Sequence, residues 1–191
     1  MQTADGHELR SINHNQCIQV TPCTRWVELQ GALKYHLQLA ALLQTTTLFR
    51  MLNPPGKKVG PQEFTVGPAK NDNDDNDDDK NNNPLQLALQ VIQNATPRGV
   101  TPLTQHLQYI KMHIQSVQGM LRSKGQEAVI VLATDGLPSN ALGESSQAVL
   151  QEFLLELKAV QRLPVWIVIR LCTDDDRVVE YYNNLDKEVS E

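Results

Sequence analysis

Apolar positions along this chain follow two periodicities, and the stretches that follow neither are almost wholly polar. Trp26, Leu29, Leu33, Leu37 and Ala40 recur at steps of three and four, which places them on one face of an α-helix. Thr24 is the expected N-cap, and the helix should end near Gln44. The clearest helix is marked by Leu103, Leu107, Ile110, Ile114, Val117 and Leu121, a stripe of about five turns that should bury one face throughout. Leu150, Phe153, Leu154, Leu157 and Val160 predict another over 145–161, and Val178, Val179, Tyr182 and Leu185 a last one over 176–187. Asn83-Pro84 has the form of an N-cap followed by the first helical residue. Leu85, Leu89 and Ile92 then share a face as far as Asn94, although LQLALQV also alternates as a strand would.

Two runs are apolar almost without interruption, AVIVLA over 128–133 and VWIVIRL over 165–171. Such runs predict parallel strands buried on both faces, and with the helix between them they form a βαβ unit. TLFRML over 47–52, stopped by Asn53-Pro54-Pro55-Gly56, and a weaker stretch over 63–66 read as further strands. Residues 1–22 are polar and irregular and read as loop, with at most a short strand over 17–20. The expected organisation is an irregular segment over 1–23 and one domain over 24–187. Its fold class is α/β: a three-layer, Rossmann-like, doubly wound and mostly parallel sheet, incomplete at its N-terminus.

A chain of 191 residues suits one such domain and is short for two with full cores. The net charge of −5 is local, because 71–83 (NDNDDNDDDKNNN) holds six Asp and one Lys while the remainder carries 16 basic and 16 acidic residues. The tract repels itself and has nothing to bury, so 70–83 is expected to be a solvated insertion. Read as an EF-hand loop it would need glycine at Asp77 and glutamate at Asn83, which argues against calcium. Without a basic stripe, nucleic acid is not an expected partner.

Cys17, Cys23 and Cys172 form an odd set with no CxxC pair, which fits a reducing compartment. His14, Cys17 and Cys23 match no common zinc spacing and lack a fourth ligand. The N-terminal stretch has no signal-like apolar region, and no apolar run reaches the ~18 residues needed to span a bilayer. The expectation is a cytoplasmic protein with no membrane partner.

Open parallel sheets bind ligands beyond the carboxyl ends of their strands. That rule singles out Thr134-Asp135-Gly136-Leu137-Pro138-Ser139 after the first buried strand and Thr173-Asp174-Asp175-Asp176 after the second, together with Gly99-Val100-Thr101-Pro102-Leu103 before the long helix. The three aspartates from 174 read as favourable charges on a helix N-terminus. His106 and His113 read as exposed flanks of the long helix.

GVTPL before an amphipathic helix, then a buried strand ending in TDG-x-P-S, resembles the second and third motifs of the metal-ion-dependent adhesion site of von Willebrand factor type A domains. The resemblance covers most of the chain from Thr24 to Tyr182. It implies a protein-binding module rather than an enzyme, with Thr101 and Asp135 as ligands of one Mg²⁺ whose shell a partner's acidic residue completes. Hydroxyl and carboxylate oxygens are hard donors suited to that ion. The family's first motif, Asp-x-Ser-x-Ser on its first strand, has no counterpart here. A Met often follows that motif, so Met1 marks where the family's first strand would end, and a truncated product is one expectation. With two protein ligands only, the site is expected to be degenerate and its Mg²⁺ affinity weak. Without the first motif's ligands, the alternative readings are that Asp135 and Thr101 merely cap a turn and a helix, or that the truncated chain has no function. A phosphatase-type hydrolase with Asp135 as nucleophile is the rival class, but it needs a second Asp where Leu137 stands.

Overall fold

The computed structural model describes residues 6–12, 17–68 and 83–190. All but Asn83 of the expected acidic insertion lies outside them, as does His14. The described residues are mixed α/β, with five helices and six strands. The strands pair as three separate two-stranded sheets, so no single sheet runs through the described chain. The chain divides into two compact units, 1–98 and 99–191.

In the first unit, β1 (Gly6–Ile12) and β2 (Cys17–Cys23) form an antiparallel hairpin in register Gly6↔Cys23 to Ile12↔Cys17. This corrects the loop expected over 6–12 and lengthens the short strand expected over 17–20. A polar sequence hides a strand when backbone pairing rather than an apolar face holds it, and periodicity then gives no signal. Gly6 is required by close approach: a Cβ there would stand 2.8 Å from the backbone of Thr24, where α1 (Arg25–Leu42) begins. The Thr24 hydroxyl accepts from the N–H of Val27 at 3.2 Å, the predicted cap.

The strand expected over 47–52 is shorter, β3 (Thr47–Arg50), and pairs antiparallel with β4 (Glu63–Val66). Met51 still donates to the Gln62 carbonyl at 2.9 Å before the proline run stops the ladder. Phe49 stacks on Phe64 across the pair, and Arg50 meets Glu63 at 2.7 Å. The helical reading of 84–94 holds as α2 (Pro84–Asn94), with the Asn83 side chain accepting from Leu85 N–H at 3.0 Å. Leu37 and Ala40 of α1, Phe64 and Val66 of β4, and Ala88, Val91 and Ile92 of α2 close one apolar core. At the end of α2, where helical carbonyls lack intrahelical donors, Gln30 donates to Ile92 O at 2.7 Å and Trp26 to Ala95 O at 3.1 Å.

The second unit opens with α3 (Leu103–Ser123). Leu103, Leu107 and Ile114 are buried, while Ile110, Val117 and Leu121 are only half-buried. His106 is also buried, a correction to the exposed flank expected of it; His113 is exposed as expected. The buried arc of α3 is wider in its first two turns, where Thr104 joins it. β5 (Ala128–Thr134), α4 (Gln147–Gln161) and β6 (Val165–Leu171) form the predicted βαβ unit, parallel in register Ala128↔Val165 to Thr134↔Leu171. Ser146 caps α4. Lys111 of α3 reaches Glu156 of α4 at 2.5 Å. α5 (Asp176–Ser190) follows, and its buried Tyr182 packs edge-on against the fully buried Phe153 of α4.

One expectation about this sheet fails. Ile130 and Leu132 are buried, but Val129, Val131, Trp166 and Val168 are exposed. Burial therefore alternates along β5, with Ile130 and Leu132 turned inward and Val129 and Val131 outward. No helix of the described residues is long and apolar enough to cross a membrane.

Candidate functional site

The two motifs singled out in sequence meet at the carboxyl end of β5. Thr101 donates its backbone N–H to the Ser139 hydroxyl at 2.9 Å, and Ser139 returns its own N–H to the Thr101 carbonyl at 2.9 Å. This reciprocal pair ties the turn before α3 to the turn after β5, across 38 residues of sequence. Ser139 is buried and Thr101 half-buried, so each bond contributes a net of about 0.5–1.5 kcal/mol. The Thr101 hydroxyl lies 3.5 Å from the position a Cβ on Gly136 would take, beside the residue that follows Asp135.

The turn carrying Asp135 is closed from inside. Thr134, buried at the last position of β5, donates its hydroxyl to the Gly136 carbonyl at 3.1 Å and accepts from the Gly136 N–H at 3.2 Å. Tyr182 of α5 donates to the same carbonyl at 3.2 Å. Burial, then the neighbouring Tyr181, pushes the Tyr182 hydroxyl well above its ordinary range, so it stays a donor at any physiological pH. Asp135 is left half-buried on a turn whose backbone is held by two hydroxyls.

The loop beyond is equally constrained. The Asn140 side chain accepts from the N–H groups of Leu142 and Glu144, each at 2.9 Å, and donates to the Glu144 carboxylate at 2.8 Å. Gly143 adopts a φ of 83° with its Cβ position 3.1 Å from Val100, so a larger residue would be strained and would press on the Thr101 turn.

Thr101 does not act as a side-chain cap: Pro102 occupies the N-cap position of α3 and no side-chain cap bond is present. That removes one of the bland explanations for this threonine. One turn along, the Thr104 hydroxyl is buried without a hydrogen-bond partner among the described residues. The second acidic turn behaves as its helix-terminal reading expects. The Cys172 N–H donates to the Thr134 carbonyl at 2.8 Å, continuing the ladder past β6. Asp175 immediately precedes α5, its carboxylate accepting from the Arg177 N–H at 3.0 Å, and the Arg177 side chain beside it holds its pKa below the ordinary value. Asp174 and Asp176 are exposed.

As a cation site the donor set is small. Thr101 supplies a hydroxyl and Asp135 a carboxylate, the hard oxygens Mg²⁺ prefers. Among the described residues no three His, Cys, Asp or Glu side chains converge. Sequence reasoning quoted Ser139 within its motif but gave it no role. It placed Tyr182 in the core by helical spacing, and no local signal announces that its hydroxyl reaches a turn 46 residues away. The chain matches no family model, no curated protein and no solved structure.

Proposed function

We propose that this chain is a non-enzymatic protein-binding module of the von Willebrand factor A type, carrying a reduced metal-ion-dependent adhesion site at Thr101 and Asp135. The observation that carries this reading is the reciprocal Thr101–Ser139 hydrogen bonding, which joins the two motifs on which the resemblance rests. A parallel βαβ unit with its turns at the carboxyl ends of β5 and β6 suits the doubly wound sheet of that family. Thr101 and Asp135 would hold one face of a Mg²⁺ ion, which wants six oxygens. Two protein donors leave the other positions to water and to a carboxylate from the partner. The ion would then act as a bridge whose affinity is low until the partner arrives. A hydrolytic role for Asp135 has no second carboxylate in support, since Leu137 stands two residues on.

The test is a calorimetric titration of the chain with Mn²⁺ and Mg²⁺. Binding in the range of ~1 mM is expected, weakened at least tenfold by Asp135→Ala and measurably by Thr101→Val, with melting temperatures unchanged. Absence of binding by the unaltered chain, or equal binding by Asp135→Ala, would sink the metal-bridge reading.

A further inference from the structure

The first turn of α3 holds hydrogen-bond donors that nothing in the described residues accepts. The Leu103 N–H donates to the Thr101 carbonyl at 2.8 Å and the His106 N–H to the Pro102 carbonyl at 3.3 Å. Between them, the N–H groups of Thr104 and Gln105 have no acceptor among the described residues. The first N–H groups of any helix lack intrahelical partners, and a capping side chain or water ordinarily takes them. Here Pro102 stands at the cap position, no side chain caps the turn, and the turn contains no acidic residue.

An open helix start is ordinary by itself. What sets this one apart is the Thr104 hydroxyl. Thr104 is 6% exposed, and its Oγ1 is buried with no hydrogen-bond partner among the described residues. It does not bond back to the carbonyl four residues earlier, the usual refuge of a helical threonine. A buried hydroxyl left in that state costs stability, which a ligand's acceptor atom would offset. Side chains on a helix lean toward its amino end, so this hydroxyl is turned the same way as the two open N–H groups. The segment is accessible at Gly99 and Gln105, both exposed.

We infer that the amino end of α3 is a carboxylate-binding site, with the Thr104 hydroxyl and the N–H groups of Thr104 and Gln105 as its donors. Three donors suit a group that only accepts, and the positive end of the helix dipole favours an anion. The charge of the ligand follows from what is missing. Neither Lys nor Arg occurs in the first turn, Leu103 to His106, so a phosphate dianion would have its second charge uncompensated. A carboxylate carries one charge, closer to the half unit that a helix end offers. The site is separate from the metal reading, since its donors are neither Thr101 nor Asp135 and it requires no cation. The same carboxylate chemistry comes from a small acid in solution or from an acidic side chain of a partner protein.

A heteronuclear NMR titration of the full chain with sodium acetate, in EDTA at neutral pH and constant ionic strength, reads the Thr104 and Gln105 amides directly. Both should move downfield with one shared Kd on the order of 10 mM. Thr104→Val keeps the shape without the hydroxyl and should bind about tenfold more weakly, whereas Thr104→Ser should stay within about threefold of the unaltered chain. Thr104→Val should also melt no lower, because the hydroxyl it loses leaves no partner behind. If that variant unfolds, the amide shifts of the unaltered chain and of Thr104→Ser decide. A parallel titration uses a short blocked peptide with one glutamate. Binding at least as tight as acetate assigns the site to a partner's acidic side chain, and binding of acetate alone assigns it to a free small acid; either upholds the carboxylate site. Amides at 104 and 105 that do not shift up to about 100 mM acetate overturn it. So does equal binding by Thr104→Val, or tighter binding of inorganic phosphate than of acetate.

Discussion

Tyr182→Phe separates the hydroxyl that holds the Asp135 turn from the ring that packs the second unit. The ring is 5% exposed and sits edge-on to Phe153, so phenylalanine keeps the packing and removes only the hydroxyl, which donates to Gly136 O and meets the Thr134 side chain. That carbonyl still accepts from Thr134, so no buried acceptor is orphaned, and at pH 8 the loss is one net hydrogen bond, about 0.5–1.5 kcal/mol. The pH dependence is the sharper test. Burial first, and Tyr181 second, raise the folded-state pKa of Tyr182 above its ordinary 10.0. A raised folded-state pKa means that the stabilising contribution is complete below pH 10 and is lost as pH rises from there toward the folded value. One unit above pH 10 the unfolded tyrosine is largely ionised and the folded one is not, which costs the unaltered chain about 1.4 kcal/mol. The Phe variant has no such group, and all other titrations are common to both proteins. The variant is therefore expected to be about 1 kcal/mol less stable at pH 8 and equal or slightly more stable at pH 11. Urea unfolding at pH 8, 10 and 11, compared through midpoints at a shared slope, measures the difference. A deficit that stays constant from pH 8 to 11 refutes the buried, hydrogen-bonded hydroxyl.

Two further outcomes follow from the same unit. Phe153→Ala removes a fully buried ring and should lower stability by about 3–5 kcal/mol in the same urea assay, through lost burial and the cavity left behind. Asp175→Asn should lower the melting temperature at neutral pH. The Arg177 side chain depresses the carboxyl's folded-state pKa below its ordinary 3.8, so the carboxylate's contribution is present above that value and lost as pH falls through the folded one. The gap between variant and unaltered chain should accordingly close in acid, and a gap persisting at pH 2 would show that Arg177 is not its source.

Sequence alone determined the elements whose signals are local. The three-and-four spacing of Leu103, Leu107 and Ile114 located α3, and the side chains of Thr24 and Asn83 cap α1 and α2 as read. A cap bond spans two or three residues and a helical face one turn, so both are written in adjacent letters. The apolar runs of β5 and β6 were legible as strands for the same reason, and their parallel pairing followed from the helix between them. What covers a strand is not local. Val129 and Val131 have the same character as Ile130 and Leu132, yet two are exposed and two buried, because burial depends on where the helices lie. His106 was misjudged for the same cause.

β1 was missed, and β2 foreseen only as a short strand over 17–20, because strand pairing is held by backbone groups that every residue type supplies. Their register, Gly6 opposite Cys23, leaves no periodic trace. At the candidate site, residue types named Thr101 and Asp135, since only a few side chains offer hard oxygens to a cation. Tertiary structure decided the rest: that Ser139 locks the Thr101 turn, and that the Tyr182 hydroxyl arrives from α5 to hold the Gly136 carbonyl. Hydrogen bonds between distant segments are set by the path of the backbone, and that path is fixed only when the core of the whole unit closes.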